Sequence, residues 1–271
     1  MYKKHDSNYH SHTYLCGHAG GKPIDYVKEA INHNFKEIGI SEHAPMANLR
    51  NRNSRLKEED YQTYHKLLDE ALIFAKKNNI KFYKGMEIEY FSHINVYENY
   101  LKEVDYLILG QHYIIKDGKY KSTYSLNSIE DVKIYAKTII EGLKSNYFNM
   151  LCHPDLCFFN IKKPTKEMYE ELRDVIKTAK SLNIPLELNA NGIRRSKNED
   201  NNPNLDYNKF RYPREEFFKM VKEEDAKVII TGDSHSVDAL NDWAIKEAYN
   251  FAKKLNLNIT YRLNMCYHEK P

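Results

Sequence analysis

Seven short apolar runs, separated by longer amphipathic stretches, restrict what this chain can become. The runs are SNYHSHT (7–13), EIGIS (37–41), IKFYKGMEIEY (80–90), DYLILGQHY (105–113), YFNMLCH (147–153), IPLELNA (184–190) and KVIITGDSH (227–235). Each has the length of a buried strand. Between them, apolar residues recur at helical spacing. Ile24, Val27 and Ile31 follow Pro23, and Tyr64, Leu67, Leu68, Ala71, Leu72 and Ala75 form the inward stripe of a second helix. SIEDVKIYAKTIIEGLKS opens with Ser128 and carries Asp131 three residues later, a capping-box start. TKEMYEELRDVIKTAKSLN, PREEFFKMVKEED and SVDALNDWAIKEAYNFAKKLN read as further helices. This alternation predicts an α/β chain with a parallel sheet, either open or closed into a (β/α) barrel. The 271 residues hold no repeat, low-complexity tract or Pro/Gly linker, so a single domain is expected. Residues 192–213, GIRRSKNEDNNPNLDYNKFRYP, read as a long polar loop, and loops of that length usually serve function.

Polar residues gather at one end of every run. The first ends in His10 and His12, with His18 just beyond. The second ends in His43, the third in Glu87, the fourth in His112 and the fifth in His153. The sixth ends in Asn189 with Arg194 and Arg195 following, and the seventh in Asp233 and His235. Barrel enzymes build their sites at this C-terminal rim, from several strand ends at once. Residues i and i+2 of a strand share a face, so His10-x-His12 aims two imidazoles at one point, as Asp233-x-His235 aims a carboxylate and an imidazole. His10, His12, His18, His43, Glu87, His112, His153, Asp233 and His235 exceed the ligand needs of one ion. Two or three divalent ions are expected, and an imidazole–carboxylate set suits zinc, iron or manganese. His5, His33, His65, His93 and His268 lack strand-end placement and read as structural.

The remaining composition narrows the field. A formal charge of +3, with the two signs interspersed, is not the footprint of a nucleic-acid binder. No stretch approaches the ~18–20 consecutive apolar residues of a membrane span. MYKKHDSNYH has no apolar run behind its basic residues, so no secretory signal is expected. Cys16, Cys152, Cys157 and Cys266 form no CxxC pair and read as free thiols of a reducing cytoplasm, with Cys16 and Cys152 close enough to histidines to add soft ligands. The oligomeric state is not legible.

YHSHTYLCGHAG, ISEHAP, GMEIEY, LGQHY, CHPD, ELNANGIRR and TGDSHS, in this order over essentially the whole chain, resemble the polymerase-and-histidinol-phosphatase (PHP) family, in its branch of monofunctional histidinol-phosphate phosphatases. The resemblance implies a distorted (β/α)7 TIM-like barrel. It implies a first ion on His10, His12, Glu87 and Asp233, and a second bridged by Glu87 and held by His112 and His153. A third would lie on His18, His43 and His235. Two positions depart from the family pattern. The last motif reads GDSHS where relatives carry a serine-aspartate-alanine-histidine run. HPDLCFFN also lacks the basic residue that often follows the fifth-strand histidine.

The activity implied is hydrolysis of a small phosphate monoester, foremost L-histidinol phosphate in histidine biosynthesis, by in-line attack of a hydroxide bridging two ions. Glu87, Asp233 and Arg194 are the expected catalytic groups. Arg194 and Arg195 would grip phosphate oxygens, since a guanidinium fork binds phosphate bidentately. Asn189 is expected at the substrate or orienting a ligand, and Asp155 behind a ligand histidine. Glu199, Asp200 and Asp206 are acids of the 192–213 loop that could pair with a substrate amine, but each reads as a solvated charge. The general acid is not assigned. Competing readings are a phosphoesterase of another monoester such as a nucleotide or sugar phosphate, an amidohydrolase, and a non-catalytic metal-binding module. The amidohydrolase reading lacks its fourth-strand lysine, since Gln111 and His112 stand there.

Overall fold

The computed structural model describes residues 4–46, 49, 54–199 and 201–265. The expectations placed on Asp200, Cys266 and His268 lie outside these residues. The strands are β1 (Ser7–Asn8), β2 (Glu37–His43), β3 (Lys81–Ile88), β4 (Tyr106–Leu109), β5 (Tyr113–Lys116), β6 (Lys119–Ser122), β7 (Met150–Leu151), β8 (Leu186–Asn189), β9 (Lys227–Thr231) and β10 (Asn258–Thr260). The helices are α1 (Pro23–Asn32), α2 (Tyr61–Lys77), α3 (Tyr97–Leu101), α4 (Ile129–Lys144), α5 (Lys166–Glu170), α6 (Arg173–Ser181), α7 (Ala190–Glu199), α8 (Glu215–Glu223) and α9 (Trp243–Leu255). Eight strands pair in the order β1-β2-β3-β4-β7-β8-β9-β10, every neighbouring pair parallel. The sheet curls into a distorted TIM-like barrel surrounded by helices.

Seven of these strands are the seven apolar runs. The eighth, β10, is three residues of low apolar content and pairs only with the first half of β9, from Asn258↔Lys227 to Thr260↔Ile229. The second half of the seam closes differently. A parallel bridge joins Ser11 to Ser234, with Ser234 N donating to His10 O at 3.1 Å and His12 N to Ser234 O at 2.9 Å. The β5–β6 hairpin stands outside the sheet and turns at Asp117-Gly118, both at positive φ. An Asp-Gly pair is a strong hairpin signal.

The helices are as expected in most places. Ser128 and Asp131 form the capping box of α4. Tyr64, Leu68, Ala71 and Ala75 of α2 are buried, but Leu72 is 38% exposed, because the stripe facing the sheet is narrower than the apolar pattern. Residues 190–199 are helical rather than loop, so α7 begins directly at the end of β8.

One large side chain dominates the small apolar cluster of the barrel interior. Tyr106 crosses it and donates from its hydroxyl to Tyr9 O at 2.7 Å. A Cβ on Gly39 would lie 2.2 Å from the Tyr106 hydroxyl, and one on Gly85 2.3 Å from its Cζ. Those two positions must therefore be glycine for Tyr106 to fit. Ile108, Met150, Cys152 and Ile229 complete this layer, which forms the apolar floor beneath the rim.

His5 sits at the opposite side, buried against Phe35 and Tyr249. Burial pushes its imidazole down to about 4. At pH 7 it is neutral in both folded and unfolded chains. Below about 6.5 the unfolded chain takes up a proton that the folded one refuses, so stability falls with pH until about 4, by about 3 kcal/mol. Urea unfolding of the parent and His5→Leu between pH 7 and 4 checks this. The variant is expected to show the shallower decline, and equal slopes would refute the assignment.

Candidate metal centre

The barrel seam builds the first part of the site. Because Ser11 pairs with Ser234, the residues flanking each are brought face to face: His10 and His12 against Asp233 and His235. His10 Nε2 lies 3.5 Å and His12 Nε2 3.2 Å from Asp233 Oδ1. Glu87, at the end of β3, completes the group. Its Oε2 is 3.3 Å from His10 Nε2, 3.5 Å from His12 Nε2 and 2.9 Å from His43 Nδ1. Its other oxygen, Oε1, is 2.9 Å from His153 Nε2 and 3.5 Å from His112 Nε2. One buried carboxylate thus meets five imidazoles. At the outer edge, His18 Nε2 and His235 Nε2 stand 3.0 Å apart, with the His43 ring 5.6 Å from that of His18.

These contacts fit a metal centre on three physical counts. First, His10 Nε2 and His12 Nε2 are buried with no hydrogen-bond partner, a cost that a bound cation removes. Second, a tetrahedral ion with ligands at about 2.0–2.1 Å separates its donor atoms by about 3.3 Å. That matches the 3.2–3.5 Å spacings of His10, His12, Glu87 and Asp233. Third, the charges call for a cation. Burial pushes His12 down, but Asp233 and Glu42 outweigh it and hold the ring up at about 9. Burial raises Glu87, yet His43, His10 and His112 hold it well below the usual carboxylate range. Burial keeps His43 near about 3 and His235 near about 4, so both are neutral, the form that binds metal. Backbone strain marks the same places: His153 has φ 27° and Asp233 φ 44°, values a side chain rarely adopts.

Three glutamates that the sequence reading passed over hold the rings from behind. Glu187 Oε1 lies 2.7 Å from His10 Nδ1, Glu42 Oε1 3.2 Å from His12 Nδ1, and Glu89 Oε1 3.1 Å from His112 Nδ1. Such partners fix which ring nitrogen is left for the ion. Asp155, expected in this role, instead accepts from the Arg214 backbone N–H at 2.5 Å, because its side chain turns toward the 211–214 turn. Cys152 lies beside the site, its sulfur within 4.8 Å of His10 and Glu87 ligand atoms. Cys16 is turned away and donates to Thr13 O.

Above the rim lies a cleft of about 440 Å³, lined among others by His43, His112, Tyr113, Tyr124, Asn191 and Arg195. The two arginines part company here. Arg194 faces away from the cleft. It pairs with Asp242 at 2.7 and 2.9 Å and donates to Gly232 O and Ala239 O, so four of its five N–H donors are taken. The expectation that it grips phosphate is therefore corrected. Arg195 lines the cleft, its guanidinium 4.8 Å from the Phe159 ring centroid and 5.1 Å from that of Tyr124. Phe159 belongs to the very stretch that lacks a basic residue, and it supplies a ring for Arg195 to rest on. Asn189 does not line the cleft. It donates to Asp233 Oδ2 at 3.0 Å and Glu187 Oε2 at 2.8 Å, which orients both carboxylates. Glu199 pairs with Arg195 and Arg211. Neither Glu199 nor Asp206 lines the cleft, and neither do His5, His33, His65 and His93.

Fold and site together define a class: a parallel (β/α) barrel whose rim carries an imidazole–carboxylate donor set fit for metal. The chain belongs to the PHP domain family, whose profile matches residues 8–191. It is 24% identical over 256 residues to a probable histidinol-phosphatase of Schizosaccharomyces pombe, covering 83% of this chain and 79% of that protein. It is 22% identical over 233 residues to a probable phosphatase of Acetivibrio thermocellus, covering 83% and 78%. Among solved structures, it resembles a histidinol phosphate phosphatase of Lactococcus lactis in complex with zinc, L-histidinol and phosphate, with TM-score 0.69, 18% identity, and 96% and 99% of the two chains covered. A putative histidinol phosphatase of Listeria monocytogenes gives TM-score 0.67 at 18% identity, covering 88% and 98%. Among the described residues, no helix is long and apolar enough to cross a membrane.

Proposed function

We propose that this chain is a metal-dependent phosphatase of small phosphate monoesters, with L-histidinol phosphate the first substrate to consider. The carrying observation is Glu87, a buried carboxylate whose two oxygens each face imidazoles from separate strands. His10, His12, Glu87 and Asp233 would hold one ion, and Glu87 with His112 and His153 a second. His18, His43 and His235 would hold a third. Bound divalent ions of this kind acidify water and neutralise the charge that develops on phosphoryl oxygens.

The chain's own residues do the rest. Arg195 presents its guanidinium to the non-bridging oxygens and is held in place by the Tyr124 and Phe159 rings. Burial pushes the Tyr124 phenol up to about 12, so its hydroxyl remains a donor. Asn189 and Asn191 hold Asp233 through its second oxygen, leaving Oδ1 turned toward His10 and His12. The buried free thiols Cys16, Cys152 and Cys157 suit a cytoplasmic enzyme.

Arg195→Met is expected to lower kcat/KM by about 100-fold, since it removes a charged donor from the reacting phosphate, and Arg195→Lys is expected to recover part of the loss. Steady-state kinetics checks this, and an unchanged kcat/KM would remove Arg195 from the site. A second reading of the substrate has its own observation. Among the described lining residues the only carboxylates are Glu87 and Asp233, both taken up by the ligand cluster. That lining suits a hydroxyl-rich leaving group, as in a sugar phosphate or nucleotide, better than an ammonium. Measured kcat/KM values for histidinol phosphate, a sugar phosphate, a nucleotide and p-nitrophenyl phosphate decide between the two. Histidinol phosphate no better than the aryl ester would end the first substrate assignment while leaving the phosphatase reading in place. No turnover of any monoester would end both.

A further inference from the structure

Each of the three carboxylates behind the ligand histidines is buried, but among the described residues only one of the three meets a guanidinium as well as its histidine. Glu187 accepts from the His153 backbone N–H, Asn189 and Thr231 besides His10. Glu42 accepts from Thr13 and the His43 backbone N–H besides His12. Glu89 instead pairs with the guanidinium of Arg55. Arg55 Nη2 lies 2.7 Å from Oε1 and Nη1 3.3 Å from Oε2, and Nη1 also donates to Ala44 O at 2.9 Å. Arg55 is 5% exposed and Glu89 1%. Oε1 of Glu89 is also the oxygen that meets His112 Nδ1. The imidazole and the guanidinium therefore share one acceptor atom.

A carboxylate behind a ligand imidazole raises its basicity and its hold on an ion. A guanidinium on the same carboxylate takes up that negative charge, and its own positive charge repels a nearby cation. We infer that Arg55 is a positioning residue that weakens the ion position served by His112 relative to the position served by His10 and His12. Ion exchange at the centre then begins at His112. This rests on the reading that the donor cluster holds ions, and it adds a ranking among positions that the ligand set alone does not give.

Zn²⁺ titration of the full chain against a chromophoric chelator tests it, with folding followed by circular dichroism. The unmutated protein is expected to release one class of Zn²⁺ before the rest, and His112→Asn to lack that class. Arg55→Gln removes the charge while keeping an amide donor, and it is expected to tighten the weak class by about tenfold. Arg55→Lys keeps the charge and is expected to leave the release order as it was. Release in a single class, a weak class that survives in His112→Asn, tightening of every class alike in Arg55→Gln, or no change or a loosening there would each overturn the role of Arg55. Should Arg55→Gln not fold, the release order in the unmutated protein and in His112→Asn decides alone. Failure to bind Zn²⁺ at all overturns the metal-centre reading as well.

Discussion

Glu87→Gln is expected to lower phosphate-ester turnover by a factor on the order of 10³ or more, with the far-UV circular dichroism of the parent. Both oxygens of the native side chain face ring nitrogens: Oε2 those of His10, His12 and His43, Oε1 those of His112 and His153. Glutamine has the same shape but no charge, and one of its two ends is a donor. That end would point at imidazole nitrogens that must themselves donate electron pairs, so one ion position loses its anionic bridge outright. The fold does not depend on the group in the same way, because the layer below it is apolar and closed by Tyr106. Ion content should fall together with turnover. Near-parental turnover with full ion content would show that Glu87 is not the bridge.

The second large effect comes from a residue that carries no chemistry. Gly110 follows β4, and a Cβ there would lie 1.9 Å from Glu87 Oε1 and 2.6 Å from its Cδ. No rotation of a methyl group relieves that overlap, so in Gly110→Ala either Glu87 swings away from His112 and His153 or the end of β4 shifts. A displacement of about 1 Å at reacting groups can cost about 100-fold, and a loss of at least that size in kcat/KM is expected. Gly20→Ala is the control, since a Cβ at Gly20 meets nothing within 4 Å. It is expected to keep parental activity. Parental kinetics in Gly110→Ala would mean that Glu87 is less tightly placed than its contacts imply.

Much of this site was legible because strands and barrels are periodic. Alternation along a strand put His10 with His12 and Asp233 with His235, and the Ser11–Ser234 bridge then set the two pairs against each other. The same rule, applied once more, would have found Glu89, two residues beyond Glu87 in EIE and turned to the same side. Glu187 carried a different signal: a carboxylate inside the apolar run PLELNA must be paired if that run is buried. Asp117-Gly118 announced the β5–β6 hairpin.

The arginines were not legible in this way. Read as loop residues, Arg194 and Arg195 could both fold over the rim. On the helix α7 adjacent side chains point about 100° apart, so one reaches the cleft and the other Asp242, a partner far along the chain that no local pattern reveals. Strand β10 is too short and too polar to declare itself. Asp155 was misplaced because its partner is a backbone N–H at Arg214, fixed only by the path of the chain.

The most direct test is anomalous X-ray scattering at the zinc, iron and manganese edges from crystals grown with the divalent metal and inorganic phosphate. At least two anomalous peaks are expected among His10, His12, Glu87, His112, His153 and Asp233, with phosphate against them and against Arg195. A map without anomalous density at that rim, its imidazoles bonded only to carboxylates and solvent, would contradict the assignment of this barrel as a metal-dependent phosphatase.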